Sequence, residues 1–293
     1  VTEKSFSEFS FVHHLSEIST VNVKKDSYEF VKLIINGYVH DAKDGDAELP
    51  TIKKLINVPS GSEIQIIISN KEQKIISLSD YGIDNLIFPS QPSLSKSENA
   101  DDMPFYFNDK YYNSDDFQSN ALVSTEMLGK MRGQQLARLT LSPFKYNPVS
   151  NELMITTKLE VKVIFNNIDF EADLSKQQKY YSPSFNHLFK SSINYVPSDE
   201  KDLITTYPVK YVIIADPSFQ AALQPFIQWK NKKGFNVIEG YTNDPLIGNT
   251  TTSIHAFIKD MYDNATISDP APTYLLIVGD EAQVPSFSGN AGS

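Results

Sequence analysis

Cysteine is absent from the 293 residues, which excludes disulfides, Cys-ligated zinc and a cysteine nucleophile within the chain. The five histidines, His13, His14, His40, His187 and His255, show no H-x-x-x-H or H-E-x-x-H spacing, so the sequence gives metal ligation by histidine no support. No apolar run reaches about 18 residues, so no membrane-spanning helix is expected, and the opening VTEKSFSEFS is too polar for a signal peptide. An exported form would have lost its leader. Basic clusters are also missing. The formal net charge is −10, and NVKKDS, TIKKL and WKNKKG are too short to track phosphates, which argues against a nucleic-acid surface. No G-x-x-x-x-G-K-[ST], G-x-G-x-x-G or G-x-S-x-G occurs, so nucleotide binding and a serine nucleophile elbow lack a motif.

What is present is a folded composition. Hydrophobic residues make up 40% and charged residues 21%, with 15 Tyr and 18 Phe. The length suits two domains. The first half reads as β: FVKLIINGY (30–38), SEIQIIIS (62–69), QKIISLSDY (73–81), ARLTLSPFKY (137–146) and LMITTKLEVKVIFNN (153–167) are rich in β-branched and aromatic residues. In the last, Leu159, Val161 and Val163 point one way and Glu160, Lys162 and Ile164 the other, so one face is core. NVPSGSE (57–63) and YNPVSNE (146–152) supply turns, predicting antiparallel hairpins. Residues 88–120, polar and without period, read as a surface excursion with one short strand over PFYFN.

Residues 168–208 turn polar again. Pro183, Pro197 and Pro208 are expected to interrupt regular structure, so the stretch reads as an exposed inter-domain linker and the place for proteolytic cutting. Beyond it the pattern changes. VKYVIIAD (209–216), FNVIEGY (235–241) and TYLLIVGD (273–280) are apolar strands. They alternate with the helical patterns SFQAALQPFIQWKNKKG (218–234) and TTSIHAFIKDMYDNA (251–265), the latter aligning Ile254, Phe257, Ile258 and Met261. Strand, helix, strand, helix, strand with buried strands predicts a parallel sheet, the first half of a doubly wound α/β domain. Trp229 is expected to pack its helix against that sheet.

Two groups of side chains are candidates for chemistry. Asp216 and Asp280 end strands; paired acids there can hold a metal, with Asp280 the candidate ligand, or can accept backbone N–H groups and cap the next turn. Arg132 and Arg138, in MRGQQLARLTL, flank a Gly and precede a strand, as in a basic β-turn with exposed side chains.

The C-terminal stretch carries F-x-x-W-K-x-x-x-G at Phe226, Trp229, Lys230 and Gly234, and Y-L-L-x-V-G-D-x-x-x-[IV]-P from Tyr274 to Pro285. Together these resemble the start of the catalytic domain of the gingipain-like cysteine peptidases. LPTIKKLINVPSGSEIQIII (49–68) and residues 131–165 resemble the β-rich propeptide before it. The resemblance implies an antiparallel sandwich-like prodomain over 1–167, a linker over 168–208 with a maturation cut, and over 209–293 the first part of a caspase-like three-layer α/β peptidase domain. It also implies an exported, extracellular or surface-bound zymogen whose prodomain partners, folds with and inhibits its own catalytic domain, the full enzyme cutting proteins or peptides. In that family the catalytic His, in Gly-His-Gly, and the Cys lie downstream of the Val-Gly-Asp strand. The chain, without cysteine, is therefore expected to be inactive alone. Arg132 or Arg138 would be the inhibitory side chain if the enzyme prefers a basic residue. No cofactor is required of this chain, and calcium is compatible with the full enzyme. The alternative is a non-catalytic secreted module for adhesion or secretion.

Overall fold

The computed structural model describes residues 1–25, 28–99, 103–118, 120–196 and 209–289. The chain divides into two compact units. The first holds Val1–Gly129, Gln135–Ile168 and Ser192–Val196; the second holds Lys130–Gln134, Asp169–Ser191 and Pro197–Ser293.

In the first unit the strands are β1 (Glu3–Lys4), β2 (Glu8–His14), β3 (Ser19–Lys25), β4 (Tyr28–Ile34), β5 (Val39–Asp41), β6 (Leu49–Val58), β7 (Glu63–Ser77) and β8 (Leu86–Ile87). A one-turn helix α1 (Asp109–Tyr112) precedes β9 (Val123–Met131), β10 (Gln134–Leu141), β11 (Phe144–Asn147) and β12 (Glu152–Asn166). One sheet runs β1-β2-β12-β11 with β7 along the other edge of β12; a second runs β5-β6-β10-β9, and a third β3-β4-β8. Among the strand pairs whose register is described, β4 with β8 is parallel and the others in these sheets are antiparallel. The alternation read from the sequence is what closes the sandwich. Phe9 and Phe11 of β2 and Leu159, Val161, Val163 and Phe165 of β12 meet Ile56 and Val58 of β6 and Ala137, Leu139 and Leu141 of β10. A second cluster joins Val31, Leu33, Ile87, Tyr112, Phe144, Tyr146, Leu153 and Ile155.

Two local expectations are corrected here. The stretches 62–69 and 73–81 are not two strands: one strand, β7, runs through the first and into the second as far as Ser77, because its polar middle stays extended against β12 through two register shifts, and Ser79–Tyr81 then form a 3-10 turn. PFYFN forms no strand among the described residues. Instead the Gln91 amide brackets Tyr106, donating to its carbonyl at 2.9 Å and accepting from its N–H at 3.0 Å, so a side chain supplies the hydrogen bonds a neighbouring strand would have supplied. Phe105 and Phe107 lie against Phe30.

The second unit carries α2 (Phe170–Lys179), α3 (Pro183–Lys190), β13 (Val209–Ala215), α4 (Gln220–Lys232), β14 (Phe235–Tyr241), α5 (Thr251–Asp263) and β15 (Tyr274–Val278). The stretch read as a linker therefore holds two helices. Asp169 caps α2 by accepting from the Ala172 N–H, and Pro183 sits in the first turn of α3, where its missing N–H costs nothing. Pro197 and Pro208 lie outside the described residues. The sheet order is β14-β13-β15, all parallel. Side chains alternate across β13. Val212 and Ile214 pack with Ile254 of α5, while Ile213 and Ala215 pack with Ile227 of α4, so helices cover opposite faces as in a doubly wound fold.

β15 departs from the buried strand that was expected: Leu275 and Ile277 are 45% and 54% exposed. It is an edge, pairing among the described residues with β13 alone. Trp229 is also half exposed, leaning on Phe226 and its neighbouring lysines rather than filling the helix-sheet interface.

Candidate functional site

The carboxyl rim of the parallel sheet is where ligands of such folds gather. Asp216 follows β13, and its Oδ1 accepts from the Ser218 backbone N–H at 2.9 Å and from the Ser218 hydroxyl. These bonds, the hydroxyl first, hold its carboxyl below the usual range. Asp280 follows β15, and its Oδ1 accepts from the Ala282 N–H at 2.9 Å, while its carbonyl accepts from Gln283 and Val284. Each carboxylate thus spends an oxygen on its own turn. No group of three or more His, Cys, Asp or Glu side chains able to hold a metal occurs among the described residues. The capping arrangement that the sequence allowed is the one the geometry shows at both positions.

The two arginines fare differently. Arg138, on β10, faces away from the core and pairs with Glu126 of β9 at 2.8 Å, both side chains well exposed. Arg132 is half-buried at the β9–β10 turn, where Arg132 and Gly133 both have positive φ (50° and 76°), the geometry of a two-residue hairpin turn. Its Nε donates to the Tyr180 carbonyl at 2.9 Å and its Nη1 to that of Pro272 at 2.6 Å; Nη2 reaches those of Ala271 and Tyr181 at 3.3 and 3.4 Å. Burial lowers its pKa from the ordinary guanidinium value. Ala271 and Pro272 precede β15, so Arg132 stands at the amino end of that strand and Asp280 at the other. Five residues of strand, about 16 Å, separate the two ends.

The matched motif in α4 has a structural meaning. Lys230 lies over Tyr211, Phe226, Trp229 and Phe235 at 4.7 to 5.3 Å from their ring centres. Gly234, at φ 88°, takes the left-handed conformation that ends the helix. This aromatic enclosure was legible only as the spacing of its members; the rings from β13 and β14 complete it.

Comparison with known proteins decides what these parts belong to. Residues 1–193 match the family model Propeptide_C25, and residues 204–292 match that of Peptidase family C25. The chain belongs to peptidase family C25. Among its relatives, Lys-gingipain of Porphyromonas gingivalis is 34% identical over 280 residues, covering 95% of this chain and 16% of that protein. Gingipain R2 of the same species is 25% identical over 289 residues, covering 92% and 37%. The chain therefore spans about a sixth of the length of Lys-gingipain. A structure described as giving insight into the zymogenic latency of gingipain K from Porphyromonas gingivalis aligns with a TM-score of 0.53 at 32% identity, over 55% of this chain and 88% of that one. The complex of Porphyromonas gingivalis RgpB pro- and mature domains aligns at 0.54 and 19% identity, over 67% and 96%, a likeness of fold alone. This C25 chain comprises the propeptide and the start of the peptidase domain, which favours the zymogen over the adhesion or secretion module.

Proposed function

We propose that the chain is the latent front of an exported cysteine endopeptidase, in which the propeptide folds with, docks on and inhibits its own peptidase domain. The observation that carries this reading is the succession of the two family matches, 1–193 and 204–292, in one chain. The thiolate that attacks the scissile carbonyl, and the His that shuttles the proton, would come from residues of the longer protein. Inhibition is then a matter of shape: an extended propeptide segment lies in the substrate cleft as a substrate would.

The name Lys-gingipain, borne by a relative at 34% identity, favours a basic residue at the cleavage point. Of the two arginines, Arg132 is consumed by carbonyls at the amino end of β15, which leaves Arg138 as the arginine to test in the cleft. Lys43 and Lys96, exposed in irregular segments of the same unit, are the lysines to test beside it. In this reading the maturation cut lies outside α2 and α3 and around the junction of the two family matches, which end at 193 and start at 204, hence within 191–208.

The experiment is to mature the whole precursor, isolate its propeptide and titrate it against the active peptidase. Inhibition that weakens more than tenfold on replacing Arg138, Lys43 or Lys96 by alanine identifies the side chain in the cleft. A propeptide that does not inhibit at all overturns the reading. N-terminal sequencing that finds the cut inside α2 or α3 overturns its placement.

A further inference from the structure

The turn between β9 and β10 lies inside the propeptide match, yet its residues Lys130–Gln134 group with the second unit. Arg132 explains why. Among the described residues, four backbone carbonyls and no carboxylate receive its guanidinium: those of Tyr180 and Tyr181 at the end of α2 and those of Ala271 and Pro272 before β15. Tyr180 is the C-cap of α2, where outward-pointing carbonyls and the negative end of the helix dipole suit a cation. A planar five-donor fork can join two separate stretches of backbone, which an ammonium does less well.

Aromatic rings close over the fork. The guanidinium carbon lies 5.7 Å from the ring centre of Phe185 and 5.9 Å from that of Tyr262, and Tyr262 stacks on Tyr180 at 4.8 Å. Gly133 completes the fit: a Cβ there would sit 2.8 Å from Tyr180 Cδ2 and 2.9 Å from the Lys176 carbonyl oxygen. The same helices are tied to the peptidase part independently. The Ala271 N–H donates to the Lys179 carbonyl at 3.3 Å, Lys179 Nζ donates to the Asp263 carbonyl at 2.7 Å, and the hydroxyls of Ser184 and Tyr274 are hydrogen-bonded.

We propose that Arg132 and Gly133 form a latch whose partner is the peptidase domain of the same chain, held at the amino end of β15, and that this latch sets how long the propeptide stays bound after the maturation cut. The proposal rests on the propeptide being an inhibitor. It adds a second foothold away from the carboxyl rim, so that residence and cleft occupation are separate properties. Its positioning residues are Arg132 and Gly133, braced by α2 and α3 on the propeptide side of the cut, and its socket on the peptidase side is the carbonyls of Ala271 and Pro272 with the ring of Tyr262.

The test uses the whole precursor, matured and left as the complex of propeptide and peptidase. Dissociation is followed after dilution by the return of activity on a basic peptide substrate. Arg132→Ala should raise the dissociation rate at least tenfold while saturating propeptide still inhibits fully. Arg132→Lys, which keeps the charge but not the fork, should fall between, and serves where the alanine variant fails to fold. Gly133→Ala should behave like Arg132→Ala. Dissociation rates within twofold of the parent for Arg132→Lys and Gly133→Ala overturn the latch. A parent propeptide that never inhibits overturns the latency reading instead, so the two failures are told apart.

Discussion

Ile214 and Ile277 are register partners on adjacent strands, β13 and β15, yet one is fully buried and the other 54% exposed. Replacing each by alanine removes the same three carbons from the same face of one sheet. At Ile214 the transfer loss is about 2.4 kcal/mol, taking roughly 0.8 per methylene. Ile214 packs with Val212, Ile247, Ile254 and Val284, and its Cδ1 occupies the space above Gly240, where a Cβ would come within 2.8 Å of it. A cavity among those neighbours brings the cost to about 3–4 kcal/mol. At Ile277 the removed atoms border solvent, no cavity forms, and the loss is about 1 kcal/mol or less. Trp229, the only tryptophan, sits on α4 in the same unit, so its fluorescence during urea unfolding reads this unit specifically. With a slope of about 1.5 kcal/mol per molar urea, the midpoint should fall by about 2–2.7 M for Ile214→Ala and by about 0.7 M or less for Ile277→Ala. Equal shifts would refute the assignment of β13 as the buried centre and β15 as the open edge.

Two further perturbations probe single polar contacts. His13 on β2 is hydrogen-bonded to the Tyr38 hydroxyl at 2.9 Å, and burial, aided by the nearby His14, lowers its pKa. Its folded pKa lies below its unfolded value of about 6.5, so the unfolded chain takes up the proton first as pH falls. Stability should then drop below about pH 6.5 by at most about 1.4 kcal/mol per pH unit, levelling once the folded pKa is passed. His13→Gln should lose less between pH 7 and pH 5 in urea titrations, and an unchanged loss would refute the assignment. Lys210, at the start of β13, has a side chain only 7% exposed and pairs at 2.7 Å with Asp269, which is 67% exposed. Asp269→Asn should cost about 1–2 kcal/mol, less than a fully buried pair because water reaches the acid, and Lys210→Met combined with it should recover most of the loss. A combined variant less stable than Asp269→Asn alone would contradict this.

What the sequence revealed was periodic. The runs of β13, β14 and β15 announced a parallel sheet, and the spacing of Ile254, Phe257, Ile258 and Met261 announced the face of α5 that now packs against it. What it hid depends on contacts between distant residues. Arg132 meets Tyr180 and Pro272 across 48 and 140 residues, so nothing near it in sequence distinguishes a latch from an exposed turn. The strand expected at PFYFN fails because Gln91, 15 residues away, satisfies its backbone. α2 and α3 are hidden in the sequence because proline signals a break, whereas its effect depends on position: Pro183 in the first turn starts a helix.

The residues that carried the resemblance are scaffold residues, and that explains how family membership can be read from a stretch without a thiol. Phe226, Trp229 and Lys230 belong to a cation held among rings, Gly234 ends a helix, and Gly279 and Asp280 form the turn after β15. Such positions are restricted by the backbone conformation and close packing they serve, whatever chemistry follows them. If that is so, changing the charge of Lys230 should act on the stability of the peptidase unit before it acts on inhibition. The latch and the cleft-filling side chain should do the reverse, because none of Arg132, Arg138, Lys43 and Lys96 belongs to a core cluster.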